Sequence, residues 1–363
     1  MRRYSYSIVQ VRKRQVMSEK EKSLQAVLDK IIDGKKVFGA SFAVKKDNFT
    51  WSGSSGNLPE DRPYFIASTT KLFTTTLILH LRAENKLTLE DRISKYLKKP
   101  ILTGLHVYKG EDCSEDLTIR HLLSHTSGIP DYFQGKGANG KSLEDEIKSG
   151  TDLHWTFEQA IERTKTMKSL FIPGAKDKAH YSDANFQLLG NIIETITNRP
   201  YSQNCNDLII RPLGLSSTYL YQDATDKIPQ TLYYKAGELN IPKAMASFGP
   251  DGGMVSTSAD MLFFMEAFIT GKMFPLEYVK ELQQWNKIFP PMRSGIGIHL
   301  FKLPVIFDPT GAIPYFIGHS GLSGALAYHS PEENIYVAGT VNQVAHPDIS
   351  FKTMIKLTRV AMK

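Results

Sequence analysis

Ser68 and Lys71 stand three residues apart in Ser68-Thr69-Thr70-Lys71, directly after the apolar run Tyr64-Phe65-Ile66-Ala67 and ahead of a helical pattern. On a helix, positions i and i+3 share a face, so the lysine amine reaches the serine hydroxyl. The helix start adds backbone N–H groups and a positive dipole end to stabilise an oxyanion. This is the chemistry of nucleophilic acyl transfer. The amine serves as a base only where burial or a cationic neighbour brings its pKa from about 10 toward about 7 to 8. Taken alone the spacing is weak, since an N-cap serine followed by a surface lysine gives the same text.

Three further stretches follow in order: Tyr181-Ser182-Asp183, then Asp251-Gly252-Gly253-Met254-Val255-Ser256-Thr257, then Gly318-His319-Ser320-Gly321 on a strand pattern. With Ser68 and Lys71 they resemble the penicillin-recognising serine hydrolases: class C β-lactamases, D-alanyl-D-alanine carboxypeptidases, D-aminopeptidases and β-lactamase-like esterases. His121-Leu122-Leu123-Ser124-His125-Thr126-Ser127-Gly128-Ile129 and Arg211-Pro212-Leu213-Gly214-Leu215 also look like that family's text between motifs, and the resemblance spans about residues 20 to 360. It implies Ser68 as the acylated nucleophile, Lys71 as its activator and Tyr181 as the proton relay. The backbone N–H groups of Ser68 and Leu322 would form the oxyanion hole, and Asp183, His319, Ser320 and Gly321 would contact substrate. The resemblance also implies a five-stranded sheet.

Two departures from that family's pattern bear on substrate. Asp183 stands where an asparagine is usual; an ionised carboxylate only accepts, whereas an amide also donates. It would also favour a charged Lys71, against a neutral-base mechanism. His319 replaces a lysine, removing a permanent cation for a β-lactam carboxylate. The reading is therefore a serine hydrolase that acts through an acyl-enzyme on short esters or on peptides containing D-amino acids. The alternatives are a β-lactamase or D-alanyl-D-alanine carboxypeptidase, and a catalytically silent ligand-binding module of the same fold.

Other patterns in the chain compete with this one. Gly135-Lys136-Gly137-Ala138-Asn139-Gly140-Lys141-Ser142 satisfies G-x-x-x-x-G-K-[ST], the text of a phosphate loop in a nucleotide-binding protein. Its surroundings lack a buried strand before it, and Glu144, Asp145 and Glu146 stand where phosphates would lie. Val305-Ile306-Phe307-Asp308 reads poorly as a partner magnesium strand because Pro304 precedes it. His121 and His125 are four apart, as metal ligands on one helix would be, but no glutamate follows His121 and no third ligand is evident. No metal and no cofactor is expected.

The elements that must position these residues can be read from periodicity. Ser18-Glu19-Lys20-Glu21 is a capping-box pattern, followed by Leu24, Val27, Leu28, Ile31 and Ile32 at helical spacing up to Asp33-Gly34. Residues 38–44 and 49–52 read as a hairpin, and helices and loops dominate from Ser68 to Pro250. Strand patterns return at 295–302, 313–319, 325–329 and 335–341, before a last helix from about Ile349. The expected architecture is α/β: a β-lactamase-like fold with a predominantly antiparallel sheet, flanked by helices and interrupted by an inserted all-helical domain. The expected divisions are 1–16 as a basic tail, 17–66 with 250–363 as the sheet domain, and 67–249 as the helical domain carrying Ser68.

Composition narrows the partners. Of 363 residues, 41% are hydrophobic, enough for a sizeable core. The net charge of +7 is concentrated near the start: Arg2, Arg3, Arg12, Lys13 and Arg14 account for five of 44 basic side chains, leaving 39 against 37 acids. The nearly neutral body argues against nucleic acid. No stretch reads as a membrane span, and residues 1–16 lack the apolar run of a secretory signal. With two cysteines and no disulfide framework, the expectation is a cytoplasmic protein whose partner is a small ester or peptide substrate.

Overall fold

The structure is a computed structural model that describes residues 17–363 apart from 138, 139, 305 and 307. The basic tail at 1–16 therefore lies outside the described residues, as do Val305 and Phe307 of the magnesium-strand pattern. The chain opens with α1 (Glu19–Asp29). Its capping box is formed: the Ser18 N–H donates to Glu21 Oε2 at 2.6 Å and the Glu21 N–H donates to Ser18 Oγ at 3.2 Å. The helix stops earlier than the Asp33-Gly34 expectation, because Asp33 Oδ1 accepts from the N–H groups of Lys35, Lys36 and Val37 and builds a loop.

Strands β1 (Gly39–Lys46), β2 (Phe49–Gly56) and the two-residue β3 (Tyr64–Phe65) follow. A 3₁₀ turn, Ala67–Thr70, then feeds α2 (Lys71–Ala83). After the helical middle region, whose longest helix is α3 (Asp183–Thr197), come β4 (Met254–Ser256) and α4 (Ser258–Ile269). The C-terminal part supplies β5 (Asn286–Lys287), β6 (Met292–Ser294), β7 (His299–Phe301), β8 (Phe316–Ser320), β9 (Ala325–Ser330), β10 (Ile335–Thr340) and α5 (Asp348–Ala361).

The main sheet runs β5-β6-β7-β8-β9-β10-β1-β2, antiparallel throughout, with Ser41 opposite Thr340 and Lys46 opposite Ile335 where the two ends of the chain meet. Eight strands replace the five expected from resemblance. The extra ones are the short β5, β6 and β7, too brief to show a period of two. A single strand over 295–302 was expected there. Instead the backbone turns at Gly295–Gly297: Gly297 has φ +71 and lies so close to α2 that a Cβ would sit 2.2 Å from Thr75 Oγ1.

Period-two alternation sorts the sheet's side chains into two layers. Phe42, Val44, Leu326, Tyr328 and Val337 pack under α1 and α5, while the smaller Ala43, Ala327 and Ala338 face the larger core that includes α2 and α4. Small residues on that face bring α4 close, and Ser41 Oγ lies 2.8 Å from Ser258 Oγ across the contact. Helix α2 is buried almost all round, from Leu72 to Leu81, so the segment carrying Ser68 is anchored in the centre of the molecule. Among the described residues no helix is long and apolar enough to cross a membrane.

Candidate active site

The joint between β3 and α2 sets Ser68. Ile66 donates its N–H to Met254 O at 3.1 Å, Met254 donates back to Thr70 Oγ1 at 3.1 Å, and Ala67 takes φ +46, a conformation rare for a side chain with a Cβ. The bend turns the chain straight into the 3₁₀ turn, where i and i+3 side chains eclipse. Lys71 Nζ thereby lies 3.1 Å from Ser68 Oγ. Tyr181 arrives from the start of α3 and places its hydroxyl 2.8 Å from the same oxygen. That segment is held because Ser182 donates its N–H to His125 Nδ1 at 3.1 Å and Asp183 donates its N–H to Asp131 Oδ1 at 3.2 Å.

Lys71 is wholly buried. Besides Ser68, its ammonium donates to Asp183 Oδ1 and to the Asp251 carbonyl, both at 2.6 Å. Burial alone would lower the Lys71 pKa, but Asp183, Tyr181 and Asp251 together outweigh it and hold the amine above its ordinary value. Burial, reinforced by Asp183, raises the Tyr181 phenol. At rest the site thus presents an ammonium and a neutral phenol to the serine.

Two groups of buried titratable side chains flank this centre. Asp251 Oδ2 accepts from Tyr132 at 2.7 Å and from Gln187 at 3.1 Å, while its Oδ1 has no partner among the described residues. Burial pushes the Asp131 carboxyl up to about 8 and the Asp251 carboxyl well above the usual range, with Asp183 adding to both. On the other flank the rings of His299 and His319 stack at 3.9 Å, and His125 stacks on Tyr181 at 4.5 Å. Burial drives His299 down to about 3 and both His125 and His319 well below the usual imidazole value.

The structure brings Ser68, Lys71, Tyr181 and Asp183 together. It places Gly321 directly against the backbone of Ser68: a Cβ on Gly321 would meet Ile66 O at 2.4 Å and Ser68 N at 3.1 Å. Leu322 lines the same pocket as Ser68, and the neighbouring Ser323 Oγ donates to Phe65 O at 2.7 Å, tying the turn after β8 to β3. Ser320 is partly exposed, whereas the His319 ring is 1% exposed and lies against His299.

Sequence reasoning missed His299, Asp131 and Asp251 as members of the site; each is a single residue with no local pattern, and only Asp251 sat inside a quoted motif. His121 and His125 serve different backbone partners: His121 Nδ1 accepts from Thr118 N at 3.3 Å, while His125 accepts from Ser182. In the Gly135–Ser142 stretch, Ser142 caps the helix Leu143–Lys148 and Asp145 returns to the Ser142 N–H at 3.2 Å, so a carboxylate occupies that helix start.

A pocket of about 60 Å³ opens beside Ser68, walled by Phe133, Ile147, Leu232, Ile241, Met245 and Phe248.

The beta-lactamase family model matches residues 24–353. The D-alanyl-D-alanine-carboxypeptidase/endopeptidase AmpH of Escherichia coli is 28% identical over 210 residues, 58% of this chain and 49% of that protein. The chain spans about half the length of the first curated relatives it matches. A D-stereospecific amidohydrolase from Streptomyces superposes with a TM-score of 0.72 at 26% identity, covering 90% of this chain and 95% of the other. EstCE1, a hydrolase with promiscuous acyltransferase activity, superposes at 0.77 with 21% identity over 95% and 98% of the two chains, a likeness of fold alone. The chain belongs to the beta-lactamase family of serine hydrolases.

Proposed function

We propose that Ser68 is acylated by short-chain esters and released by water, with D-amino-acid amides or peptides as the next substrate class. The observation that carries this reading is Ser68 Oγ, 3.1 Å from Lys71 Nζ and 2.8 Å from the Tyr181 hydroxyl, at the mouth of a small apolar pocket. Ser68 Oγ attacks the carbonyl carbon as its proton passes to the Tyr181 oxygen and the phenol's own proton passes on to the leaving oxygen, so that Tyr181 is neutral before and after. The tetrahedral oxyanion is met by the N–H groups of Ser68 and Leu322 until the bond to the protonated leaving oxygen breaks. Lys71, paired with Asp183, acts as a fixed cation that favours negative charge on Tyr181 and Ser68 during transfer. Water repeats the sequence on the acyl-enzyme.

The preference for esters over β-lactams rests on charge. His319 is neutral and buried, so it supplies no cation for a substrate carboxylate. The D-amide class is supported by the Streptomyces amidohydrolase, which shares 26% of its sequence with this chain.

Intact-protein mass spectrometry after exposure to a fluorophosphonate and to activated esters tests the reading. The expected mass shift is one adduct in wild type and none in Ser68→Ala; an adduct that persists in the variant removes Ser68 from the mechanism. The substrate claim is tested separately, with kcat/KM for a short-chain aryl ester expected to exceed that for a chromogenic cephalosporin by at least about tenfold. The reverse ranking would return the protein to β-lactam chemistry.

A further inference from the structure

Lys287 of β5 stands directly opposite Arg293 of β6 at the free edge of the main sheet, and Arg293 in turn faces Leu300 of β7. Like charges directly opposite destabilise a strand pair unless something of opposite sign offsets them. The protein supplies nothing of that kind. No Asp or Glu occurs between Glu281 and Asp308, and Lys287, Arg293 and Lys302 enter no ion pair among the described residues. Asp308 is turned into its own loop, accepting from the N–H groups of Ala312 at 3.1 Å and Ile313 at 2.9 Å. The three cations line one cleft of about 550 Å³ together with Ile288, Met292, Leu300 and Leu303, and no acid joins them. Apolar side chains also project from the two loops that wall it. Phe289 is 49% exposed, and Ile306, at 80%, is the most exposed large apolar side chain among the described residues.

We infer that this edge docks on an anionic lipid bilayer, with Lys287, Arg293 and Lys302 among the headgroups and Phe289 and Ile306 in the acyl boundary. Cations beside protruding apolar side chains are what an interfacial anchor needs: the charges draw the protein to the surface and the apolar groups leave water there. A folded protein partner would need a matching pocket for each loop tip, whereas a bilayer admits them anywhere. An added peptide strand is a poor occupant too, because β5 is two residues long and Pro290 and Pro291, which carry no N–H to donate, follow soon after it. The docking edge also adjoins the candidate active site: the Phe289 ring stands 6.1 Å from that of Tyr181 between centroids. Docking therefore brings that site to the lipid boundary, where apolar esters concentrate. The inference does not depend on the acylation of Ser68.

The test is sedimentation of the full-length protein with vesicles of phosphatidylcholine alone and of phosphatidylcholine with about 30% phosphatidylglycerol, in about 0.1 M salt. Wild type is expected on the anionic vesicles and not on the neutral ones. Replacing the three cations together, Lys287→Gln with Arg293→Gln and Lys302→Gln, is expected to lower the partition coefficient about 10²-fold, about fivefold for each charge. Phe289→Ser with Ile306→Ser is expected to lower it at least about tenfold by removing the inserted apolar groups. These side chains lie at the surface, so the melting temperatures of both variants should stay near that of wild type and show that each is folded. Undiminished binding by both variants would assign the attraction to the arginine-rich residues 1–16 and overturn the inference. Loss in the charge variant alone would mean adsorption without penetration, which overturns it as well. So does a wild type that ignores the anionic vesicles, and its retention on immobilised polyglutamate would then assign the cleft to an acidic protein.

Discussion

The carboxyl-rich flank of Ser68 and its histidine-rich flank are built from opposite chemistry and arrive at the same electrical state. Asp131 and Asp251 hold their protons because burial penalises the anion; His125, His299 and His319 lose theirs because burial penalises the cation. Between them stands the ion pair of Lys71 and Asp183. Desolvation silences the flanks and leaves that pair as the charge closest to Ser68, where its field is least diluted.

The sharpest way to break this contrast is to remove members of the centre and one member of the histidine flank. Lys71→Ala and Tyr181→Phe are each expected to lower kcat on a short ester by about 10²- to 10⁴-fold, the range for lost proton-transfer help. Lys71→Ala also leaves Asp183 buried without its cation, so its melting temperature falls while that of Tyr181→Phe changes little. His299→Phe keeps a ring between His319 and Tyr181 and is expected to cost less than about tenfold. A loss matching that of Lys71→Ala would show that the histidine flank takes part in the chemistry.

A second experiment sharpens the role of the central pair through pH. Asp183 helps hold Lys71 above its ordinary value, so Asp183→Asn lets burial act and lowers the amine. If Lys71 works as a cation, kcat/KM for the variant develops a falling alkaline limb below about pH 10, where Lys71 loses its proton early. A rate that climbs through the same range would identify the neutral amine as the working form.

The smallest effects are in stability, and the two flanks oppose each other in sign. The unfolded chain releases the Asp131 proton near 3.8, whereas the folded protein keeps it to about 8. Asp131 therefore stabilises the fold at acid pH, and the benefit is lost as pH rises across that window. For His299 the unfolded chain takes up a proton near 6.5 and the folded protein only near 3, so its burial destabilises the fold progressively as pH falls through that range. Relative to wild type, the melting temperature of Asp131→Asn is expected to climb between pH 4 and 8 and that of His299→Gln to climb from pH 6.5 to 4. The corresponding slope in unfolding free energy is at most about 1.4 kcal/mol per pH unit for each. Parallel slopes of the same sign would show that the two flanks do not titrate independently.

Much of the centre was legible in the sequence because its residues obey short-range rules. Ser68 and Lys71 are bound by a fixed offset on one turn, and Tyr181 and Asp183 straddle the start of a periodic helix. The flanks obey no such rule. Asp131 enters through a loop, Asp251 through a turn between Phe248 and β4, and His299 through a three-residue strand; only the closed fold makes them neighbours. The long strands were readable from alternation and the end-to-end pairing of the chain followed from their placement. The short β5 to β7 were not, since Gly297 is selected by the close approach of α2 and leaves no periodic trace.

The pairing of β1 with β10, and the contact of Gly321 and Ser323 with the β3–α2 joint, also set a clock. A chain emerging from the ribosome exposes Ser68 early, yet the backbone that buttresses it lies more than 250 residues later. Until the segment from His319 to Thr340 has been made, β1 lacks its inner neighbour and the serine lacks the turn that carries Leu322. The nascent protein therefore holds Ser68 in an unfinished site, and the acylation proposed for it is expected only once the last strands close the sheet.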